Sequence, residues 1–422
     1  MDMQANGIAP HPTDLPLRAY QASLILETTK GIDRSRGVQA MAQALSKSFD
    51  DILEANTLDL EASREMAVPE LILDWLKLTP ERLQIAIDVL RRIGELSDPL
   101  RRVMNASYQL DHSQTYCQLM PLGVIALIYE AFPELGAIAA GFCLKTGNSL
   151  ILRGGSEASQ SNIAIAKVLQ EALDEVGLPP GCLELSLPEQ GSSIQDLVTQ
   201  DRYINLVIPY GRQTLVHKVT QLSTSPILRS AMGNCYLYWS ATGSLDMVRW
   251  VILDSHASVP DPVNAIEKVL IDSSAKLSSL STLCKNLKEK GFKLRGDSEL
   301  VAQFPEQLTL AAESEWNQPY LNKSITFKLV NSLADGIAWI NQYSSGHADC
   351  IVTESYQESR QFALGVDSAS VYINSSPQFS RNPKRGDGVF LGMSNQKGYR
   401  RGIISLETLT TLKQVVQGNV QF

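Results

Sequence analysis

A chain of 422 residues that is 44% hydrophobic and 19% charged can bury two large cores and carry a small appendage. Its 37 basic and 45 acidic residues leave a formal net charge of -8, which argues against a nucleic-acid partner and an anionic membrane surface. Six scattered cysteines without a CxxC pair, and five histidines without ligand spacing, argue against a disulfide framework or a metal site and fit a reducing cytoplasm.

The first twenty residues lack a basic stretch followed by an apolar one, so no secretory signal is expected there. Residues 15 to about 105 read as helices, with apolar residues recurring as in Leu83, Ala86, Ile87, Leu90 and Ile93. Thr79 and Pro80 read as an N-cap and a first helical residue. Residues 107–119 are largely polar and suit an extended arm.

From Pro121 the pattern becomes strand, helix, strand, helix. Leu122 to Leu144 is the best membrane candidate, but Glu130, Pro133 and Glu134 interrupt it, so a strand and a buried helix are expected. Strands are expected near 122–129, 149–153, 203–209 and 234–239, and helices near 135–145 and 161–176. Such alternation implies a parallel, doubly wound sheet that binds nucleotides beyond the carboxyl ends of its strands. A second α/β series follows, with strands near 265–271, 325–329, 350–353 and 370–374. The stretch from Gln378 onward is Gly- and Arg-rich and then reads as helical. The expected division is residues 1–105 as N-terminal helices, 106–120 as the arm and 121–243 as a nucleotide-binding domain. Residues 244–374 form a catalytic-type domain, and 375–422 return to the nucleotide domain and arm. Ser240-Ala241-Thr242-Gly243-Ser244 marks the main boundary.

One segment carries chemistry on its face. Ile151-Leu152-Arg153-Gly154-Gly155-Ser156-Glu157-Ala158 joins a strand end to a helix start. Two glycines admit close backbone approach, Ser156 is a candidate cap, and Arg153 is a fork-shaped cation that suits a phosphate. A tight βα turn with a surface arginine is an equally good reading.

Residues 121–162, 343–354, 366–376 and 402–413 resemble the signature segments of γ-glutamyl phosphate reductases, as does LEANTLDLEAS at 53–63. The resemblance runs in order along nearly the whole chain. It implies an α/β fold of the aldehyde-dehydrogenase type, with a Rossmann-type nucleotide domain, an α/β catalytic domain and a small oligomerisation arm. It further implies a cytoplasmic oxidoreductase of proline biosynthesis, using NADPH to reduce L-glutamate 5-phosphate to the semialdehyde through a cysteine thioester. By the same resemblance Lys145, Arg153, Gly154, Gly155, Ser156 and Glu157 belong to the cofactor site.

The departures from that family cluster at the chemistry. Its Cys-Asn-Ala-x-Glu motif appears as Val263-Asn264-Ala265-Ile266-Glu267, so Val263 stands at the nucleophile position and no catalytic residue is retained. Phe132 stands where the family has arginine, and Tyr210-Gly211-Arg212 where it has Arg-Gly-Gly. Gln378 and Phe390 replace further polar residues, and Tyr399 falls in another altered motif. A pocket lined by Phe132, Val263 and Phe390 would leave an anionic substrate unpaired. The expected alternatives are a reductase working without its thiol, and an inactive paralogue that forms homo-oligomers or pairs with an active one. A third reading makes Asp254 and His256 an acid and base near the lost nucleophile, with His347 retained from the family.

Overall fold

The computed structural model describes residues 15–106, 113–188, 193–257, 263–275, 277–398 and 400–418. Part of the expected arm, Ser258 to Pro260 and Tyr399 lie outside them. The described chain is α/β, as expected, and divides into two compact units. Unit 1 comprises residues 1–229, 381–392 and 403–422, and unit 2 comprises 230–380 and 393–402.

Unit 1 begins with five helices, α1 (Leu15–Thr28), α2 (Gly31–Lys47), α3 (Phe49–Glu65), α4 (Glu70–Leu76) and α5 (Pro80–Glu95). Thr79 caps α5 by accepting from Arg82 N, and Pro80 occupies the first turn, as the sequence predicts. Strands β1 (Val103–Asn105) and β2 (Ser113–Pro121) follow. The nucleotide-type sheet then forms from β3 (Val124–Tyr129), α6 (Pro133–Lys145), β4 (Ser149–Arg153), α7 (Ser159–Glu175), β5 (Leu183–Leu185), α8 (Ile194–Val198), β6 (Leu206–Gly211) and α9 (Gln213–Leu222). Within this unit the strands run parallel in the order β5-β4-β3-β6. Every residue of β3, β4, β6 and α6 is buried. That explains their continuous apolar runs, since a parallel sheet is covered on both faces. Helix α6 packs so closely on α5 that a Cβ at Gly141 would lie 2.3 Å from Leu90 Cδ2.

Unit 2 holds the short strand β7 (Ser230–Ala231), then β8 (Cys235–Trp239), α10 (Leu245–Ser255), β9 (Ile266–Asp272), α11 (Leu277–Glu289), β10 (Lys293–Gly296), α12 (Ser298–Gln303) and β11 (Thr309–Leu310). It continues with β12 (Ser324–Val330), α13 (Leu333–Tyr343), β13 (Ala348–Val352), α14 (Tyr356–Gly365) and β14 (Ser370–Ile373). Its sheet is parallel, in the order β11-β10-β12-β9-β8-β13-β14. Strand β8 is central in this sheet, paired with β9 and β13. The two compact units part at 229/230, whereas the sequence places a boundary near residue 243. Ser240 to Ser244 is a βα turn, not a linker, held by Ser240 N on Val352 O at 3.1 Å.

The short strands β15 (Gly392–Ser394) and β16 (Gly402–Ile404) precede β17 (Thr410–Gly418). The expected C-terminal helix is instead this strand, paired antiparallel with β2 over nine residues. With β1 it makes a three-stranded arm in the order β1-β2-β17. No helix among the described residues is long and apolar enough to cross a membrane.

Candidate functional site

The carboxyl ends of β3, β4 and β6 carry the predicted nucleotide residues of unit 1. Arg153 ends β4, is buried, and donates to Ser186 O at 3.2 Å. The Gly154-Gly155 turn follows. A Cβ on Gly155 would lie 2.3–2.5 Å from the Glu157 carboxylate, which folds back over the turn and would have to swing aside. Burial raises the Glu157 pKa, backbone N–H groups of Glu157 and Ala131 work against this, and the Glu130 charge adds to the rise.

Glu130, just beyond β3, is gripped by Arg212, just beyond β6. Arg212 N donates to Oε2 at 2.7 Å, and its Nε and Nη2 donate to Oε1 at 2.9 and 2.8 Å. Arg212 thus spends its guanidinium on a carboxylate of its own chain.

Ser156 does not cap the following helix. That role falls to Asp59 of α3, whose carboxylate accepts from Gln160 N at 2.9 Å and from Ser161 N at 2.8 Å and Ser161 Oγ at 2.6 Å. Nothing local marks this cap, because it lies about a hundred residues upstream of the N–H groups it satisfies. Lys145 is not brought to this edge. It ends α6 at the opposite, amino end of the sheet, where its Nζ donates to Ser35 Oγ at 2.8 Å and to the carbonyls of Gly94 and Leu96. It ties α6 to α2 and α5.

Whether a dinucleotide fits can be judged from these groups. The N-terminus of α7, the usual seat of a pyrophosphate, already holds the Asp59 carboxylate. Glu130 and Glu157 add two acceptors beside the glycine turn. The edge fits the hydroxyls of a ribose, which donate to carboxylates, better than it fits an unshielded phosphate. The residues able to hold a nucleotide are Arg153, Gly154, Gly155, Ser156 and Glu157, without Lys145.

Phe132 is not a pocket residue. It is 1% exposed, stacks on Trp75 at 4.8 Å and meets Tyr210 edge-on at 5.6 Å. Arg381 donates to the Tyr210 hydroxyl at 2.7 Å. Phe390 is half-buried and folds against Gly388, where a Cβ would lie 2.9 Å from its ring.

In unit 2 the altered motif lies at the amino end of β9. Val263 is 1% exposed, and its carbonyl accepts from Gly233 N at 3.0 Å. Asn264 donates to Pro377 O at 3.1 Å. Glu267 is buried and accepts from Tyr320 N at 2.6 Å and Leu321 N at 2.8 Å. Both retained polar residues of the motif thus hold backbone. His256 packs edge-on to Phe292 and contacts Ile266 O at 2.8 Å, and burial lowers its pKa. His347 is fully buried beside Ser345 Oγ at 2.8 Å, and burial pulls its pKa down to about 4. Both rings are therefore neutral near pH 7.

All six cysteines are buried. Burial drives the thiols of Cys182 and Cys284 up to about 12, and those of Cys143, Cys235 and Cys350 upward as well. Since only the thiolate reacts, the native protein is expected to show fewer than one thiol per chain to Ellman's reagent at neutral pH, and six after denaturation. A fast-reacting native thiol would contradict this burial.

The comparisons with known proteins agree with this architecture. The aldehyde dehydrogenase family model matches residues 17–233. The chain is 56% identical over 400 residues to γ-glutamyl phosphate reductase 2 of Synechocystis sp., with 95% of each chain covered. It is 37% identical to γ-glutamyl phosphate reductase of Gloeobacter violaceus, with 96% of each covered. The crystal structure of γ-glutamyl phosphate reductase from Thermotoga maritima superposes with a TM-score of 0.89 at 29% identity, covering 98% of this chain and 100% of that one. Sequence and fold together place this chain in the aldehyde dehydrogenase family, among its γ-glutamyl phosphate reductases.

Proposed function

We propose that this chain works at the proline-biosynthetic step that reduces L-glutamate 5-phosphate, as a non-thiol member of the reductase family. It acts there as a partner or regulatory subunit of an active, cytoplasmic reductase. The observation that carries the proposal is the burial of all six cysteines, together with a 1% exposed Val263 at the position that the sequence resemblance gives to the family nucleophile. A side chain of methyl groups can neither attack an acyl phosphate nor leave from a thioester. The name of the Synechocystis relative carries the number 2, which suits a protein kept beside another reductase.

NADPH, where bound, supplies hydride to this family's reaction. In this chain Glu157 would accept from ribose hydroxyls, and Gly154 and Gly155 would let the sugar approach the backbone. Arg153 would add positive charge at the strand end. Arg212 neutralises Glu130 beside this turn. Arg212→Gly bares that carboxylate and is expected to weaken NADPH binding about tenfold, read by calorimetry. Unchanged affinity would remove Arg212 from the account.

The deciding experiment runs the reaction backwards, with purified chain, glutamate semialdehyde, phosphate and NADP. No NADPH should form above background. Sustained turnover would overturn the proposal.

A further inference from the structure

A cavity of about 460 Å3 opens in unit 1 at the root of the three-stranded arm. Its floor is apolar, formed by Leu96, Pro99 and Leu406, and its charged groups are Asp98, Arg102, Asp387 and Glu407. The volume lies in the range of small-molecule sites, roughly 300–1,000 Å3. Three stretches of chain distant in sequence supply these residues, and none belongs to the edge described above or to the motif at Val263.

The charges are arranged for a ligand with two poles. Arg102 forms an ion pair with Glu407, and their side chains are 62% and 46% exposed. An ion pair so exposed contributes little to stability and opens readily. Asp387 is exposed and has neither a hydrogen bond nor an ion pair among the described residues. Asp98 also lines the cavity, but it is committed to Arg34 through two contacts of 2.9 Å. The adaptable groups are therefore one guanidinium and two carboxylates around an apolar floor.

We propose that this cavity binds a small aliphatic α-amino acid as its zwitterion and that this ligand regulates the arm. The ligand carboxylate takes the planar fork of Arg102, a geometry that guanidinium favours. The ligand ammonium takes Glu407 and Asp387, and the aliphatic side chain covers Leu96, Pro99 and Leu406. A simple anion would face two carboxylates, and a simple cation would leave Arg102 without a partner once Glu407 turned to it. Arg102 immediately precedes β1, and Glu407 lies three residues before β17, so an occupied site ties the roots of two arm strands together. The inference does not depend on chemistry at position 263.

The test is calorimetry on the full chain with L-leucine, L-valine and L-proline, and with N-acetyl-L-leucine amide, which lacks both charges. At least one free amino acid is expected to bind in the millimolar range or tighter, and the capped compound is not. Arg102→Gln and Asp387→Asn should each weaken binding about tenfold. Hydrogen exchange of residues 103–105 and 410–418 should slow in the bound state. Absence of heat from all three free amino acids, equal binding of the capped compound, or full binding by Asp387→Asn would overturn the proposal. Should Arg102→Gln fail to fold, Asp387→Asn decides, because its carboxylate supports nothing else among the described residues.

Discussion

Replacing Arg82 by methionine is expected to destabilise the chain by about 3–5 kcal/mol, the usual cost of leaving one partner of a buried ion pair alone. Arg82 and Glu134 are both 6% exposed. The Nε and Nη2 of Arg82 donate to the Glu134 carboxylate at 2.6–3.0 Å, and its Nη1 also serves the Lys77 carbonyl. Methionine fills the space of the arginine stem but strands a carboxylate in a dry interior. The double change Arg82→Met with Glu134→Leu should recover most of the loss, because hydrophobic replacement of a buried pair is often neutral. Urea unfolding of the three variants measures both steps. A single variant within 1 kcal/mol of the parent would mean that water reaches this pair.

The same pair accounts for a departure that first reads as damage to a binding site. Phe132, which the sequence resemblance sets at a family arginine, stacks on Trp75 at the entrance to α6. Arg82, arriving from α5, holds Glu134 in the first turn of that helix. The start of α6 is thus fixed by an aromatic stack and an internal ion pair, and needs no external anion. Phe132 belongs to the fold.

What the sequence revealed follows from the range of the interactions concerned. Strands β3, β4, β6 and β8 were legible because each is a short continuous apolar run, which a parallel sheet requires. The Gly-rich end of β4 was legible because its turn chemistry is local. The C-terminal strand was misread because Leu412, Val415 and Val416 recur at helical spacing. Pairing with β2 overrides that spacing and leaves Leu412 and Val416 exposed. Ser240 to Ser244 has the composition of a linker but is a packed turn, where a Cβ on Gly243 would lie 2.4 Å from Val352 O. Asp59 on α7 and Glu130 on Arg212 were illegible because the partners lie 101 and 82 residues apart. Spacing along a chain does not encode such meetings.

Glu267→Ala is expected to cost about 3–5 kcal/mol near pH 7, and less in more alkaline solution. Glu267 is fully buried with Lys268, whose Nζ lies 3.5 Å from its carboxylate, 3.2 Å from Gln318 O and 3.8 Å above the Tyr320 ring. The carboxylate also accepts two backbone N–H groups at Tyr320 and Leu321, and Leu321 sits at φ 56°, a region that side chains other than glycine seldom adopt. Burial raises the Glu267 pKa to about 7 and lowers that of Lys268 to about 8, so each is ionised at neutral pH only with the other's help. Removal of Glu267 leaves a buried ammonium whose folded-state pKa falls further below its unfolded value. The unfolded state then binds the extra proton, so the variant gains stability as pH rises from neutrality, whereas the parent, whose Lys268 loses its proton only at about 8, begins the same gain later. The penalty should therefore shrink between pH 7 and pH 9, as read by urea midpoints at each pH. A constant penalty would assign the loss to the two backbone contacts alone. Glu267 anchors residues 320 and 321, so its place in this sequence is explained by the fold and gives by itself no reason to infer chemistry.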